Sequence, residues 1–204
     1  MSTFSHDRIE LMRRFLHQTV SCTDRLVDIG AGSRSVSSDL KAGHIVTLDI
    51  VAMTNPTVVA DVALSLPLTD QCADAVIAGE ILEHIVQSVS FLREIYRVLV
   101  PGGYLIISVP NVVSLKYRIA FLLGRIPSHA ARADLTYAEG SKFMYRGHVR
   151  DYCFKDLRFL LEYTGFHVLK SMSTGIYWRG KRVVSPIVTP RTFGESIVMI
   201  AQKR

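Results

Sequence analysis

The chain has 204 residues, 49% of them hydrophobic and 21% charged, which suits one globular α/β domain with a sizeable core. Three widely spaced cysteines, Cys22, Cys72 and Cys153, form neither a disulfide framework nor a metal-type spacing, and no apolar run reaches the roughly 18 residues of a membrane span. The net charge of +6 admits an anionic partner, such as nucleic acid, an acidic lipid surface or a phosphorylated substrate, without choosing among them.

The first residues include His6, Asp7, Arg8 and Glu10 and do not read as a signal peptide, so the expected address is cytoplasmic. Ile9, Leu11, Met12, Phe15, Leu16 and Val20 recur at helical spacing, which predicts an amphipathic helix within residues 1–24 that packs over the sheet or a cleft. A strand follows from Arg25 and runs through Asp28 into the turn Gly30-Ala31-Gly32, the outline of a nucleotide-binding strand-turn-helix. Glycine suits that turn because a side chain would hold the backbone away from a ligand and because the turn can require positive φ. The run Ser33 to Leu40 predicts the first crossover helix, opened by a serine cap.

The next strand ends at Asp49, about 20 residues past the glycines, where a carboxylate reaches a ribose diol. A short third strand, Val58 to Ala60, ends at Asp61. Three successive strands therefore each deliver an aspartate to the carboxyl edge, where open α/β sheets bind ligands; singly, each aspartate also suits a turn or a helix cap. Thr54 to Pro67 is poor in helix formers, so the second crossover is short or absent. The fourth strand, Asp74 to Ala78, leads into Glu80-Ile81-Leu82-Glu83-His84. Glu80 and Glu83, or Glu80 and His84, lie one turn apart and can point the same way. Such a set suits Mg²⁺, Mn²⁺ or Zn²⁺; alternatively Glu83 and His84 only brace the cleft wall, or His84 acts as a general base. No metal is expected; if one binds, Glu80, Glu83 and His84 are its ligands, with His148 a further one.

A surface helix from Ser88 to Leu99 and the stop Pro101-Gly102-Gly103 precede the fifth strand, Tyr104 to Val109. Residues 111–150 break the alternation of strand and helix and form an insertion suited to acceptor specificity. Within it, residues 115–125 form a basic, apolar helix that serves as a lid, a dimer contact or a peripheral membrane contact. His148 is a candidate base or acceptor contact, or closes the lid with Arg150. Residues 151–204 supply a helix from Phe154 to Tyr163, strand-like runs at 166–169 and 197–201, and an aromatic, basic stretch at 177–182 that borders the acceptor or forms a solvated hairpin.

The blocks Val27 to Gly32, Leu48-Asp49, Ala60-Asp61, Ala75 to Ile85 and Leu99 to Leu105 resemble the class I S-adenosylmethionine-dependent methyltransferases. The last two are similar to the ubiquinone-biosynthesis O-methyltransferases, and the exit Pro110-Asn111 with 146–152 to sugar-, lipid- and natural-product-modifying members. The resemblance implies one domain: a doubly wound, Rossmann-like α/β sheet of seven mostly parallel strands with an antiparallel edge strand, helices on both faces and a lid insertion after strand 5. Residues 25–110 form its cofactor-binding half. It implies S-adenosylmethionine as cofactor, with S-adenosylhomocysteine as product. By the same resemblance Asp61 and Val62 meet the adenine, Asp49 with Ile50 the ribose, and Asp28, Gly30, Ala31 and Gly32, with Gly79 and Glu80, the methionine end. Glu-x-x-Glu-His also resembles the metal site of small-RNA 2′-O-methyltransferases. Arg34 stands where a third glycine is common.

The activity expected is O-methylation of a small or lipid-linked molecule, with His84 and His148 as candidate catalytic bases. RNA methylation, metal-assisted at a 2′ oxygen, is the second expectation and a non-catalytic cofactor-binding protein the third; oligomeric state is left open.

Overall fold

The computed structural model describes residues 3–21, 24–32, 35–39, 43–125, 147–178 and 181–204. Cys22, Arg34, Arg179 and the stretch 126–146 of the expected insertion lie outside the described residues. A seven-stranded sheet organises the chain: β1 Arg25–Ile29, β2 His44–Asp49, β3 Val58–Val59, β4 Ala73–Gly79, β5 Leu99–Pro110, β6 Phe166–Ser173 and β9 Ser196–Lys203. Their order is β3-β2-β1-β4-β5-β9-β6. A separate hairpin joins β7 Ile176–Trp178 to β8 Lys181–Val184.

β1 to β5 pair in parallel, and β9 runs antiparallel to both β5 and β6. The expected antiparallel strand is present, one place in from the edge. The long return from β6 through the hairpin brings β9 back between β6 and β5.

Period-two alternation sends each strand's side chains to two cores. Val27, Ile29, Val76, Ala78, Leu105, Ile107, Ile197 and Met199 face α2 (Ser88–Val98) and the later helix α4 (Phe154–Tyr163). Leu26, Ala75, Ile77, Ile106, Val198 and Ile200 face α1 (Thr3–Thr19), which buries Met12, Phe15 and Leu16 against them. α3 (Leu115–Leu122) follows the fifth strand and, by contrast, buries none of its side chains.

The crossovers before β4 are shorter than a doubly wound fold usually has. Where a helix is expected after Gly32, the described residues hold one 3-10 turn, Val36–Asp39. The reason is serine chemistry: Ser35 and Ser37 send their hydroxyls to the Asp28 carboxylate and hold this segment in a tight turn. The second crossover is likewise only a 3-10 turn, Ala52–Thr54. Arg97 of α2 holds the loop into β4 in place of a helix, donating to Leu68 O at 2.8 Å, Leu66 O at 3.1 Å and Asp70 Oδ1 at 2.7 Å. No helix among the described residues is long and apolar enough to cross a membrane.

Candidate active site

The glycine turn folds back over β2: the Gly30 and Ala31 amides donate to Leu48 O at 2.8 and 3.3 Å. Gly30 and Gly32 both have positive φ, 69° and 54°, which a side chain at either position would strain. A Cβ at Gly30 would lie 2.9 Å from Ile81, whereas one at Gly32 would meet nothing nearer than Gly30 O at 3.9 Å. The main chain at Gly32 therefore presents a bare surface. Asp49 braces it from below, accepting from the Gly32 amide at 2.7 Å and the Val51 amide at 2.8 Å.

Beside it, Asp61 accepts from the Ala63 amide at 3.0 Å, with Val62 buried and Ile50 at the surface. Asp28 is buried one register position short of the strand end and accepts from Ser35 Oγ, Ser37 Oγ and the Ser37 amide. Burial raises its pKa, and these bonds together with the Arg8 charge oppose the shift.

At the end of β4, Glu80 adopts a left-handed conformation, φ 56°, outside the regions easy for a non-glycine residue. Its amide donates to Ser108 O at 3.0 Å and its carboxylate accepts from Ser196 Oγ at 3.2 Å. The chain then turns through the 3-10 segment Leu82–His84, which puts Glu83 at 1% exposure. The Glu83 carbonyl accepts from the amides of Val149 and Arg150 at 2.8 and 3.3 Å, bringing His148 to His84 with ring centroids 4.9 Å apart. Ligand atoms of Glu83, His84 and His148 all lie within 4.8 Å of one another. Among the described residues neither Glu83 oxygen has a hydrogen-bond partner, and His84 Nε2 stands 3.9 Å from Oε1. Burial, and then repulsion from Glu80, push the Glu83 pKa well above the ordinary carboxylate range.

The set named for a metal, should one bind, was Glu80, Glu83 and His84; among the described residues the ligand atoms that gather are those of Glu83, His84 and His148. Glu80 turns to Ser196, and His148, 64 residues on from His84, takes its place beside Glu83. The left-handed backbone at Glu80 breaks the one-turn spacing that would have aligned the two glutamates.

Arg8 is the residue that the sequence reading missed. It projects from α1 across the carboxyl ends of the central strands, with Nη1 3.4 Å from Ser108 Oγ and 3.0 Å from where a Cβ on Gly79 would stand. Its charge opposes the pKa rise of Asp28, Glu80 and Glu83 alike. The available signal was a cation at i to Met12 at i+4 and Phe15 at i+7, within a helical stripe otherwise buried.

Residues 27–107 match the family model for a methyltransferase domain. Over 60 residues the chain is 40% identical to a probable S-adenosylmethionine-dependent methyltransferase of Mycolicibacterium smegmatis, covering 29% of this chain and 21% of that one. Over 52 residues it is 38% identical to the mitochondrial ubiquinone biosynthesis O-methyltransferase of Mus musculus, covering 26% and 14%. The chain thus spans about a fifth or less of the length of these curated relatives. Among solved structures, a SAM-dependent methyltransferase from Thermotoga maritima superposes with a TM-score of 0.67 at 20% identity, covering 98% of this chain and 95% of that one. The chain is thus similar to S-adenosylmethionine-dependent methyltransferases over residues 27–107 and shares the fold of a solved one. The bare Gly32 main chain, the braced Asp49 and the Arg8 cation all lie at the carboxyl edge of the parallel strands, where open α/β sheets bind their ligands.

The buried Glu83 generates a pH prediction. A carboxyl whose folded pKa lies above its unfolded value contributes stability that is present at low pH and lost as pH rises through the folded pKa. Glu83→Gln keeps the shape and removes the charge, so the melting temperature of the variant relative to the parent should climb as pH rises above the ordinary glutamate range. A gap that stays constant over that rise contradicts a desolvated, unpaired Glu83.

Proposed function

We propose that the chain transfers a methyl group from S-adenosylmethionine to an oxygen of a small or lipid-linked acceptor. The observation carrying this reading is the pair formed by a bare glycine turn and the Asp49 carboxylate braced beneath it at the carboxyl edge of β1 and β2. The Asp49 oxygens retain lone pairs beyond those taken by the two amides, free to accept from a ribose diol. Asp61 and Val62 stand where an adenine would lie, and the Arg8 guanidinium offers charge to the amino-acid carboxylate. Without Arg8, an anionic group would meet Asp28, Glu80 and Glu83 with no compensating cation from α1.

When bound, the donor supplies a methyl carbon on an already activated sulfonium, so the protein's task is positioning and removal of water. An alcohol or phenol acceptor must also lose its proton. An imidazole nitrogen of the His84–His148 pair would take that proton as the methyl group is transferred. Imidazole, with an unperturbed pKa of about 6.5, is suited to accept it near neutrality. The need for a base favours oxygen over an already neutral amine, and the matched segment of the ubiquinone O-methyltransferase supports the same choice.

One observation favours a second reading of the same centre. Glu83 has two buried oxygens without donors beside two histidines, a mixed oxygen and nitrogen set suited to a divalent cation. Glu83, His84 and His148 would hold the ion, which would lower the pKa of an acceptor hydroxyl.

Three outcomes follow. Asp49→Ala should weaken S-adenosylhomocysteine binding by about 1–3 kcal/mol in calorimetry; unchanged affinity removes Asp49 from the ribose site. Alanine at His84 or His148 should lower turnover of a labelled methyl donor by on the order of 10²-fold or more with cofactor affinity kept, and full activity in both ends the base assignment. Turnover that survives chelator treatment, with no rise in melting temperature on adding Mn²⁺ or Zn²⁺, rules out the cation reading; loss on chelation and recovery with the ion establishes it.

A further inference from the structure

The hairpin β7–β8 lies outside the main sheet and outside the site, yet it reaches the helix that carries Arg8. Asp7, the neighbour of Arg8 on α1, is buried at 1% exposure and takes both of its polar contacts from this hairpin. Tyr177 Oη donates to Asp7 Oδ2, and Arg182 Nη1 donates to Asp7 Oδ1 at 2.8 Å. Tyr177 and Arg182 are register partners across the hairpin, so one rung of it grips both oxygens of one carboxylate. Gly175 leaves the space: a Cβ there would stand 3.2 Å from Asp7 Oδ2 and 2.4 Å from Val184 O.

Adjacent helical residues project about 100° apart. With Asp7 fixed toward the hairpin, Arg8 is fixed toward Gly79 and Ser108, and the first turns of α1 lose the freedom to roll or fray. Such freedom is otherwise the rule at helix termini, which open at low energetic cost.

We propose that Arg182 and Tyr177 are positioning residues for the cofactor: through Asp7 they hold Arg8 over the carboxyl ends of β1, β4 and β5. This rests on the functional reading above, in which Arg8 meets the carboxylate of the donor. The aromatic, basic stretch at 177–182 then clamps α1. The clamp also accounts for a costly feature, since a buried carboxylate persists only where charge and hydrogen bonds answer it.

The test is calorimetric titration of S-adenosylhomocysteine into the parent chain, Arg182→Met, Arg8→Ala and the double variant, each shown to be folded at the titration temperature. Arg182→Met should weaken binding roughly tenfold, the equivalent of one charge-assisted contact, although Arg182 lies outside the site. Arg8→Ala should weaken it at least as much. The double variant should match Arg8→Ala alone, because Arg182 acts through Arg8. Arg182→Lys should recover part of the loss. A general loss of stability would not make the two changes non-additive. Tyr177→Phe, which deletes one oxygen and keeps the ring, repeats the comparison if Arg182→Met fails to fold. Parent-like affinity in Arg182→Met and Tyr177→Phe, or effects that multiply in the double variant, overturns the inference while leaving the functional reading intact. Failure of the parent chain itself to bind overturns both.

Discussion

The structure depends on one carboxylate placed between two loops. Asp49 terminates β2 and accepts from the Gly32 amide of the neighbouring turn and the Val51 amide of its own. Those two bonds hold the β1 turn at positive φ, keep its outer surface free of side chains and align the first two strand ends of the sheet. Charge-assisted bonds to backbone amides are among the stronger ones available. The same group keeps lone pairs beyond those two bonds, so on the proposed reading architecture and binding meet at a single side chain.

Around that edge the chain concentrates charge of one sign. Asp28, Glu80 and Glu83 are withdrawn from water, and each has a raised pKa for that reason first. Asp28 is answered by serines and Glu80 by Ser196 and Ser108, whereas Glu83 has no donor among the described residues. Arg8 offsets part of the repulsion, and it enters on a helix locked from behind through Asp7. The edge is therefore built from both ends of the chain: α1 brings the cation, and the segment between β6 and β9 fixes it. Perturbed carboxyls and histidines gathered at a sheet's carboxyl edge are what a reactive site requires, and they are costly anywhere else.

Much of this was legible in the sequence because its causes are local. Gly30 and Gly32 announced a turn with positive φ, Asp49 stood at the ribose spacing, and Met12, Phe15 and Leu16 marked the buried face of α1. What escaped was set by tertiary contacts. A serine in the run Ser33 to Leu40 was expected to cap a helix, but a buried Asp28 seven to nine residues away captured the hydroxyls of Ser35 and Ser37. Glu80 and Glu83 were paired on helical spacing, which a left-handed residue at Glu80 abolished. His148 was named as a candidate, yet its meeting with His84 hangs on two amides donating to the Glu83 carbonyl, a contact no sequence period records. The stretch at 177–182 was read as an acceptor border or a solvated hairpin, because the buried Asp7 that it grips lies 170 residues away.

The central claim is that the Gly32 turn and Asp49 shape this edge for an adenosyl sulfonium compound. Side-by-side calorimetry of the unmodified chain with S-adenosylhomocysteine and with a nicotinamide dinucleotide tests it most directly. The account predicts saturable uptake of the first at one per chain and none of the second. No heat with S-adenosylhomocysteine, or preference for the dinucleotide, would contradict it.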